Sequence, residues 1–248
     1  MNWPVQAITE AVQPTLPGFT LEVLAEVDST NSELLRRVRR GCVEPLLRVA
    51  QQQHAGRGRL GRVWHSAAGA LAFSLGLPME PALWSGLSLA VGLSVAAALH
   101  PRLRLKWPND IWLDKRKMAG ILIETANFNL TRYAVIGVGI NVAAIDPGGW
   151  STPAAWLTEL VPDMNAATAL QRVVPPMALA IKRFETQGFA PFRAQFESLD
   201  ALAGCSIRLV DGTEGIAGGV DRDGALQVHT VSGTRIITSS EVSVRPAG

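Results

Sequence analysis

Gln53-His54-Ala55-Gly56-Arg57-Gly58-Arg59-Leu60-Gly61-Arg62-Val63-Trp64 is the stretch on which the fold turns. Its last nine residues hold three glycines, three arginines and a tryptophan. Glycine adopts positive φ and lets backbone approach a ligand closely. Arginine clamps phosphate or carboxylate in a planar fork. Such a loop expects an anion, and Trp64 can cover something flat and apolar; a solvated basic turn is the plainer alternative. The run also contains Gly56-x-Gly58-x-x-Gly61, the spacing of a dinucleotide fingerprint. That fingerprint needs a strand before it, a helix directly after it and an acidic residue about 20 positions on. A strand at 46–50 and Glu80 fit, but Leu71-Ala72-Phe73-Ser74-Leu75-Gly76-Leu77 follows and reads as strand. Arg57 and Arg59 would also crowd a pyrophosphate that wants bare backbone. The doubly wound fold is set aside.

Working outward, residues 1–18 hold three prolines and no clear periodicity, which predicts a loose leader. A strand is expected over 21–27. Thr30 and Glu33 form a capping-box pattern that starts a helix. A strand over 70–77 and a helix over 84–99 follow the arginine loop. The stretch 82–99 carries no charge, but its serines, glycines and bracketing prolines favour a buried core helix over a membrane span. Residues 102–107 alternate cleanly as a strand. Pro108-Asn109-Asp110 turns, 111–113 returns, 114–117 turns again, and 119–125 and 133–141 are further apolar strands. A meander of sequential strands with helices before and after it predicts an α+β domain rather than a βαβ series. Residues 165–201 read as helical, with Pro175-Pro176 expected to kink or interrupt them. Past Gly204, short β-type runs (206–210, 216–220, 225–230, 235–238 and 242–244) alternate with Asp-Gly and Ser-Gly turns, the pattern of a small all-β barrel. The expected division is 1–201 and 202–248.

At 248 residues the chain can bury a full core. Net charge is only +2, so no global field draws it to nucleic acid. Basic residues are lopsided, 19 arginines to 4 lysines, and three lysines (Lys106, Lys115 and Lys117) fall close together. Cys42 and Cys205 form no metal or redox spacing. The N-terminus has no signal-peptide pattern, so a reduced, cytoplasmic setting is expected.

Five segments stand out together: Asp28-Ser29-Thr30-Asn31, the loop 53–64, Lys106-Trp107-Pro108-Asn109-Asp110, Arg116-Lys117-Met118-Ala119-Gly120-Ile121-Leu122-Ile123-Glu124 and Gly137-Val138-Gly139-Ile140-Asn141. In this order they closely resemble the biotin protein ligases, from about residue 21 to the C-terminus. The resemblance implies a mixed sheet with flanking helices, like that of class II aminoacyl-tRNA synthetases, plus a small C-terminal SH3-like β-barrel. It implies an AMP-forming enzyme that joins biotin to the α-phosphate of ATP, releases pyrophosphate, and passes biotin to a lysine of a biotin carboxyl carrier protein. ATP with Mg²⁺ and biotin are then substrates, and no tightly bound prosthetic group is expected.

Two anions must meet in that first step, so fixed cations are required where charge concentrates. Lys106, Arg57 and Arg59 are the implied catalytic residues. Biotin carries a neutral urea, whose matching partners are neutral hydroxyls and amides. Ser29, Thr30, Asn31 and Gln53 suit it, with Arg57, Gly58, Arg59, Trp64, Lys106 and Gly120 completing the implied biotin site. Arg57, Arg59, Arg62, Trp64, Asn109, Lys117 and Asn141 are implied at ATP, and Asn109 and Asp110 at Mg²⁺, which prefers oxygen ligands. The arginine loop is expected to close over the adenylate. Plainer readings stand beside these: Thr30 as a cap, Lys117 as a solvated turn lysine, the 137–139 glycines as packing contacts, and Trp112 and Trp156 as core. His54, His65 and His100 receive no catalytic role.

The helix-turn-helix domain of repressor-type members has no counterpart before the catalytic segment, so DNA is not an expected partner; with 82–99 read as a core helix, neither is a membrane. Monomer and sheet-edge homodimer are both compatible. A lipoate or octanoate ligase would want a greasy tunnel in place of Ser29, Thr30 and Gln53. A non-catalytic sensor would have no need of the cations.

Overall fold

The computed structural model describes residues 2–65, 69–144, 153–238 and 245–246. Helix α1 (Val5–Val12) leads into strand β1 (Thr20–Val27), helix α2 (Thr30–Arg39), β2 (Leu46–Gln53) and β3 (Ala70–Pro78). Helix α3 (Leu87–Leu99) precedes a meander of β4 (Arg104–Lys106), β5 (Asp110–Leu113), β6 (Arg116–Phe128) and β7 (Thr131–Asn141). Helices α4 (Ala166–Gln187) and α5 (Arg193–Leu199) follow. The chain ends in β8 (Ser206–Arg208), β9 (Glu214–Val220), β10 (Leu226–Thr230), β11 (Gly233–Ile237) and β12 (Arg245–Pro246).

The first seven strands form one sheet, ordered β1-β2-β3-β7-β6-β5-β4. Only β1 and β2 run parallel; every other pairing is antiparallel. The mixed α+β reading therefore holds. Central strands β3 and β7 are buried along almost their whole length, because helices cover both faces. Leu34 and Val38 of α2 pack on Leu46, Tyr133 and Val135 on one side. The apolar side chains of α1, α3 and α4 join the main core on the other. Helix α3 is apolar all round, as a core helix must be. Among the described residues no helix is long and apolar enough to cross a membrane.

Several expectations need correction. The supposed leader is part of the fold: Ile8 and Val12 of α1, with Leu16 and Phe19 after it, are buried in the main core. Prolines at its margins obscured a single short amphipathic helix. Thr30 is not the cap of α2; Ser29 is, accepting from the Ser32 amide at 3.4 Å. Pro175 and Pro176 do not interrupt α4, which runs 22 residues from an Asn165 cap to Gly188. Buried Val173, Val174, Met177 and Ala178 hold the turns on either side of the missing donors. The expected strand at 102–107 shortens to three residues.

The C-terminal strands form a second antiparallel sheet, ordered β11-β10-β9-β8-β12. Its ends are not paired among the described residues, so the likeness to a closed SH3-like barrel is loose. The expected run at 242–244 lies outside the described residues. Ile207, Leu226 and Val228 of this sheet share the main core with the first sheet. Trp107 Nε1 donates across the junction to Gly224 O at 3.1 Å.

Asp200, between α5 and β8, bridges in parallel to Leu105. One carboxyl oxygen accepts from the Leu202 amide at 2.8 Å, while the other is buried without a hydrogen-bond partner. Burial pushes its pKa up to about 6. A carboxyl raised on folding favours the folded state below the ordinary carboxylate range, and that contribution is lost as pH rises through about 6. Asp200→Asn is therefore expected to raise the melting temperature over wild type at pH 8, with the gain shrinking toward pH 4. Equal shifts at both pH values would contradict this. Ile8→Ala is expected to cost ~2–5 kcal/mol in denaturant unfolding, the penalty of a core cavity; a loose leader would register no loss.

Candidate active site

Above the β3-β7-β6-β5-β4 half of the sheet lies a cleft of about 470 Å³. Every residue that the resemblance assigned to biotin, ATP or Mg²⁺ lines it. Three local features of the chain bring them together.

The first is the junction of β1 and α2. Arg36 grips Asp28 through a fork of two 2.7 Å hydrogen bonds and also pairs with Glu33. This guanidinium holds the Asp28 carboxyl down to about 2. The turn so pinned presents Ser29, Thr30 and Asn31, all buried. Freed from capping, Thr30 donates to Gln53 Oε1 from its amide (2.8 Å) and its hydroxyl (3.1 Å). Ser74 Oγ, on β3, lies 2.7 Å from Thr30 Oγ1 and donates to Asn31 Oδ1 at 2.5 Å. Asn31 Nδ2 donates to Glu124 Oε2 at 2.9 Å. The result is a chain of neutral polar groups from half-buried Gln53 to buried Asn31, anchored at a carboxylate.

Ser74 and Glu124 had no role in the sequence reading. A lone serine inside the apolar run 71–77 was the available signal for the first. The second sat unused at the end of a quoted motif.

The second feature is the β6–β7 pair. Gly120 and Gly139 are register partners, and Gly137 follows two residues along the same face. A Cβ on Gly139 would stand 2.2 Å from the Trp64 ring, and one on Gly137 would stand 2.3 Å from Asn31 Oδ1. The sheet is thus bare where Trp64 and Asn31 lie down on it. Beside Trp64, Asn141 Nδ2 donates to Lys117 O at 3.1 Å. Asn141 Oδ1 and Trp64 Nε1 are buried without a hydrogen-bond partner among the described residues.

The third is a β-bulge. Ile111 pairs with Ala119 but Trp112 pairs with Lys117, leaving Met118 as the extra residue on β6. In a regular strand Gly120 and Lys117 would point to opposite faces. The bulge turns buried Met118 into the core and brings Lys117 to the cleft. There Lys117 Nζ meets Asp110 Oδ1 at 2.6 Å and stands 5.9 Å from the Trp64 ring centroid. Lys117 is therefore not a solvated turn lysine.

The cations line the same cleft. Lys106 is 9% exposed. Arg59 donates to Asn109 Oδ1 at 3.4 Å; burial lowers its pKa and the neighbouring Asp110 charge opposes that shift. Arg57 pairs with Glu124 at 2.7 Å and reaches Ser32 Oγ at 3.2 Å. Gly58 and Arg62 close the loop turn, the Gly58 amide donating to Arg62 O at 2.7 Å. Asn109 is itself fixed, its Nδ2 donating to Ile121 O at 2.8 Å. Among the described residues no group of three or more His, Cys, Asp or Glu side chains is placed to hold a metal ion. Cations, a neutral polar chain and a bare floor beside an indole can hold a polyphosphate, a neutral amide-like ring and a flat base together.

Residues 23–141 match the Biotin/lipoate A/B protein ligase family, and residues 206–245 match the Biotin protein ligase C terminal domain. The Biotin--[acetyl-CoA-carboxylase] ligase of Paracoccus denitrificans is 34% identical, over 89% of this chain and 98% of that one. The Bifunctional ligase/repressor BirA of Escherichia coli is 33% identical, over 98% of this chain and 80% of that one. Among solved structures, the biotin protein ligase from Aquifex aeolicus in complex with biotin and ATP superposes with a TM-score of 0.78 at 32% identity, covering 92% of this chain and 99% of that one. With its sheet order, its cleft and these matches agreeing, the chain belongs to the biotin protein ligase family.

Proposed function

We propose that the chain activates biotin with ATP and transfers it to a lysine of a biotin carboxyl carrier protein, within the cytoplasm and without DNA as a partner. The observation that carries this reading is the neutral chain Gln53–Thr30–Ser74–Asn31 in the same cleft as Lys106 and the loop arginines. A urea ring is uncharged, with one acceptor and two donors, and such groups match it where charges would not.

In the first step a biotin carboxylate oxygen attacks the α-phosphorus of ATP. The bond to the β-phosphate breaks and pyrophosphate leaves. Negative charge concentrates where carboxylate and phosphate meet, and Lys106 bridges them. Arg57, Arg59 and Arg62 neutralise the polyphosphate as it departs. Mg²⁺ arrives as part of the ATP substrate, with Asn109 and Asp110 as the neighbouring oxygen donors. Trp64 covers the adenine, and the buried Asn141 Oδ1 suits an N–H donor such as its exocyclic amine. In the second step the carrier lysine nitrogen attacks the acyl carbon, an amide forms, and AMP leaves. Residues 1–201 are the catalytic unit in this scheme, and 202–248 the unit that braces it.

Pyrophosphate release from Mg-ATP is expected with biotin and not with lipoate; release with lipoate alone would overturn the assignment of Ser29, Thr30 and Gln53. Lys106→Ala is expected to lower biotin-dependent release by about 100-fold or more with an unchanged melting temperature. Gly139→Ala is expected to displace Trp64 and raise the KM for ATP about tenfold, from an overpacking cost of ~1–3 kcal/mol, while moving that for biotin less.

A further inference from the structure

Lys106 and Trp112 meet diagonally across the β4–β5 pair. The register sets Lys106 opposite Asp110 and Arg104 opposite Trp112, so all four positions share one face. Diagonal neighbours on a face lie about 7–8 Å apart, within reach of a long side chain and an aromatic ring. The Lys106 ammonium stands 5.1 Å from the Trp112 ring centroid. Both side chains are withdrawn from water, Lys106 at 9% exposure and Trp112 at 7%. An ammonium over an indole is attracted by the ring quadrupole, most strongly where water is excluded. The indole nitrogen makes no hydrogen bond among the described residues, so packing and this contact account for the ring's placement. Asp110, the cross-strand neighbour of Lys106, is engaged by Lys117 at 2.6 Å.

The chemistry of the seat matters. A carboxylate under Lys106 would offset its charge and compete with the two anions that must meet there. An aromatic face is neutral overall. It fixes where the ammonium stands without adding a negative charge of its own. We infer that Trp112 is a positioning residue for Lys106, holding its ammonium by the ring face at the point where carboxylate and α-phosphate meet. This rests on the assignment of Lys106 to the adenylation step.

The test measures single-turnover, biotin-dependent pyrophosphate release by the full chain, with Trp112 replaced by Phe, by Leu, and at that position alone by mono-, di- and trifluorinated tryptophan. Fluorination drains negative charge from the ring face with little change of shape. The rate constant is expected to fall stepwise with each fluorine and by about 10- to 30-fold in Trp112→Leu, with Phe between, while the KM for biotin stays near wild type. A flat response across the fluorinated series, in protein that melts like wild type, overturns the inference even if Trp112→Leu is slow, since packing alone would explain that. Lys106→Ala separates the two levels. If it releases pyrophosphate like wild type, the assignment of Lys106 fails and takes the inference with it. If it is inactive while the fluorinated series is flat, only the role of Trp112 fails.

Discussion

The site depends on a stretch of sheet without side chains. Glycine in a central strand sacrifices packing and adds conformational entropy to the unfolded chain, so three of them on one face of β6 and β7 are a real cost. What they admit are the two groups that would collide with any Cβ there, the Trp64 ring over Gly139 and the Asn31 amide over Gly137. Trp64 ends the arginine loop and Asn31 opens α2, so two segments distant in sequence are brought down onto one floor. The burial of β3 and β7 along most of their length offsets the loss.

Over that floor the cations are held in a balance that anions can take over. Arg57 rests on Glu124, Lys117 on Asp110 and Arg59 on Asn109. Arg57 keeps 46% of its side chain exposed, and a pair so open to water contributes at most about 1 kcal/mol. Such contacts keep the guanidinium near its working place without a large barrier to regrouping around phosphate. The Asp28–Arg36–Glu33 cluster does a different job. It lies behind the turn that presents Ser29 to Asn31 and holds backbone rather than ligand.

Legibility in the sequence followed the range of the interactions. Period-2 alternation and turn dipeptides are local, so the meander from 104 to 141 was readable, as was the apolar core helix α3. The loop 53–64 stood out by composition alone, and it lines the cleft. Features set by distant partners did not. The capping pattern at Thr30 was locally sound, yet Gln53 and Ser74, which are 23 and 44 residues away, claim its hydroxyl and leave Ser29 to cap. Pro175 and Pro176 should break a helix by local rules, but the core around Val173, Val174, Met177 and Ala178 keeps α4 whole. The bulge at Met118 left no trace in a pattern that read simply as a strand, though it decides which way Lys117 points.

Lys106 sits on an edge strand of three residues, too short to be rigid by its own pairing to β5. Its neighbours in sequence are fastened from outside the meander. Leu105 O accepts the Ala201 amide at 2.8 Å, and Leu105 bridges to Asp200. Trp107, fully buried, donates its indole N–H to Gly224 in the turn between β9 and β10 of the second sheet. The lysine is thus clamped on both sides by chain that lies a hundred residues further on. A cation must be fixed before charge develops if it is to act without reorganisation. The C-terminal sheet, which contributes no lining residue to the cleft among those described, supplies that fixity through backbone and core.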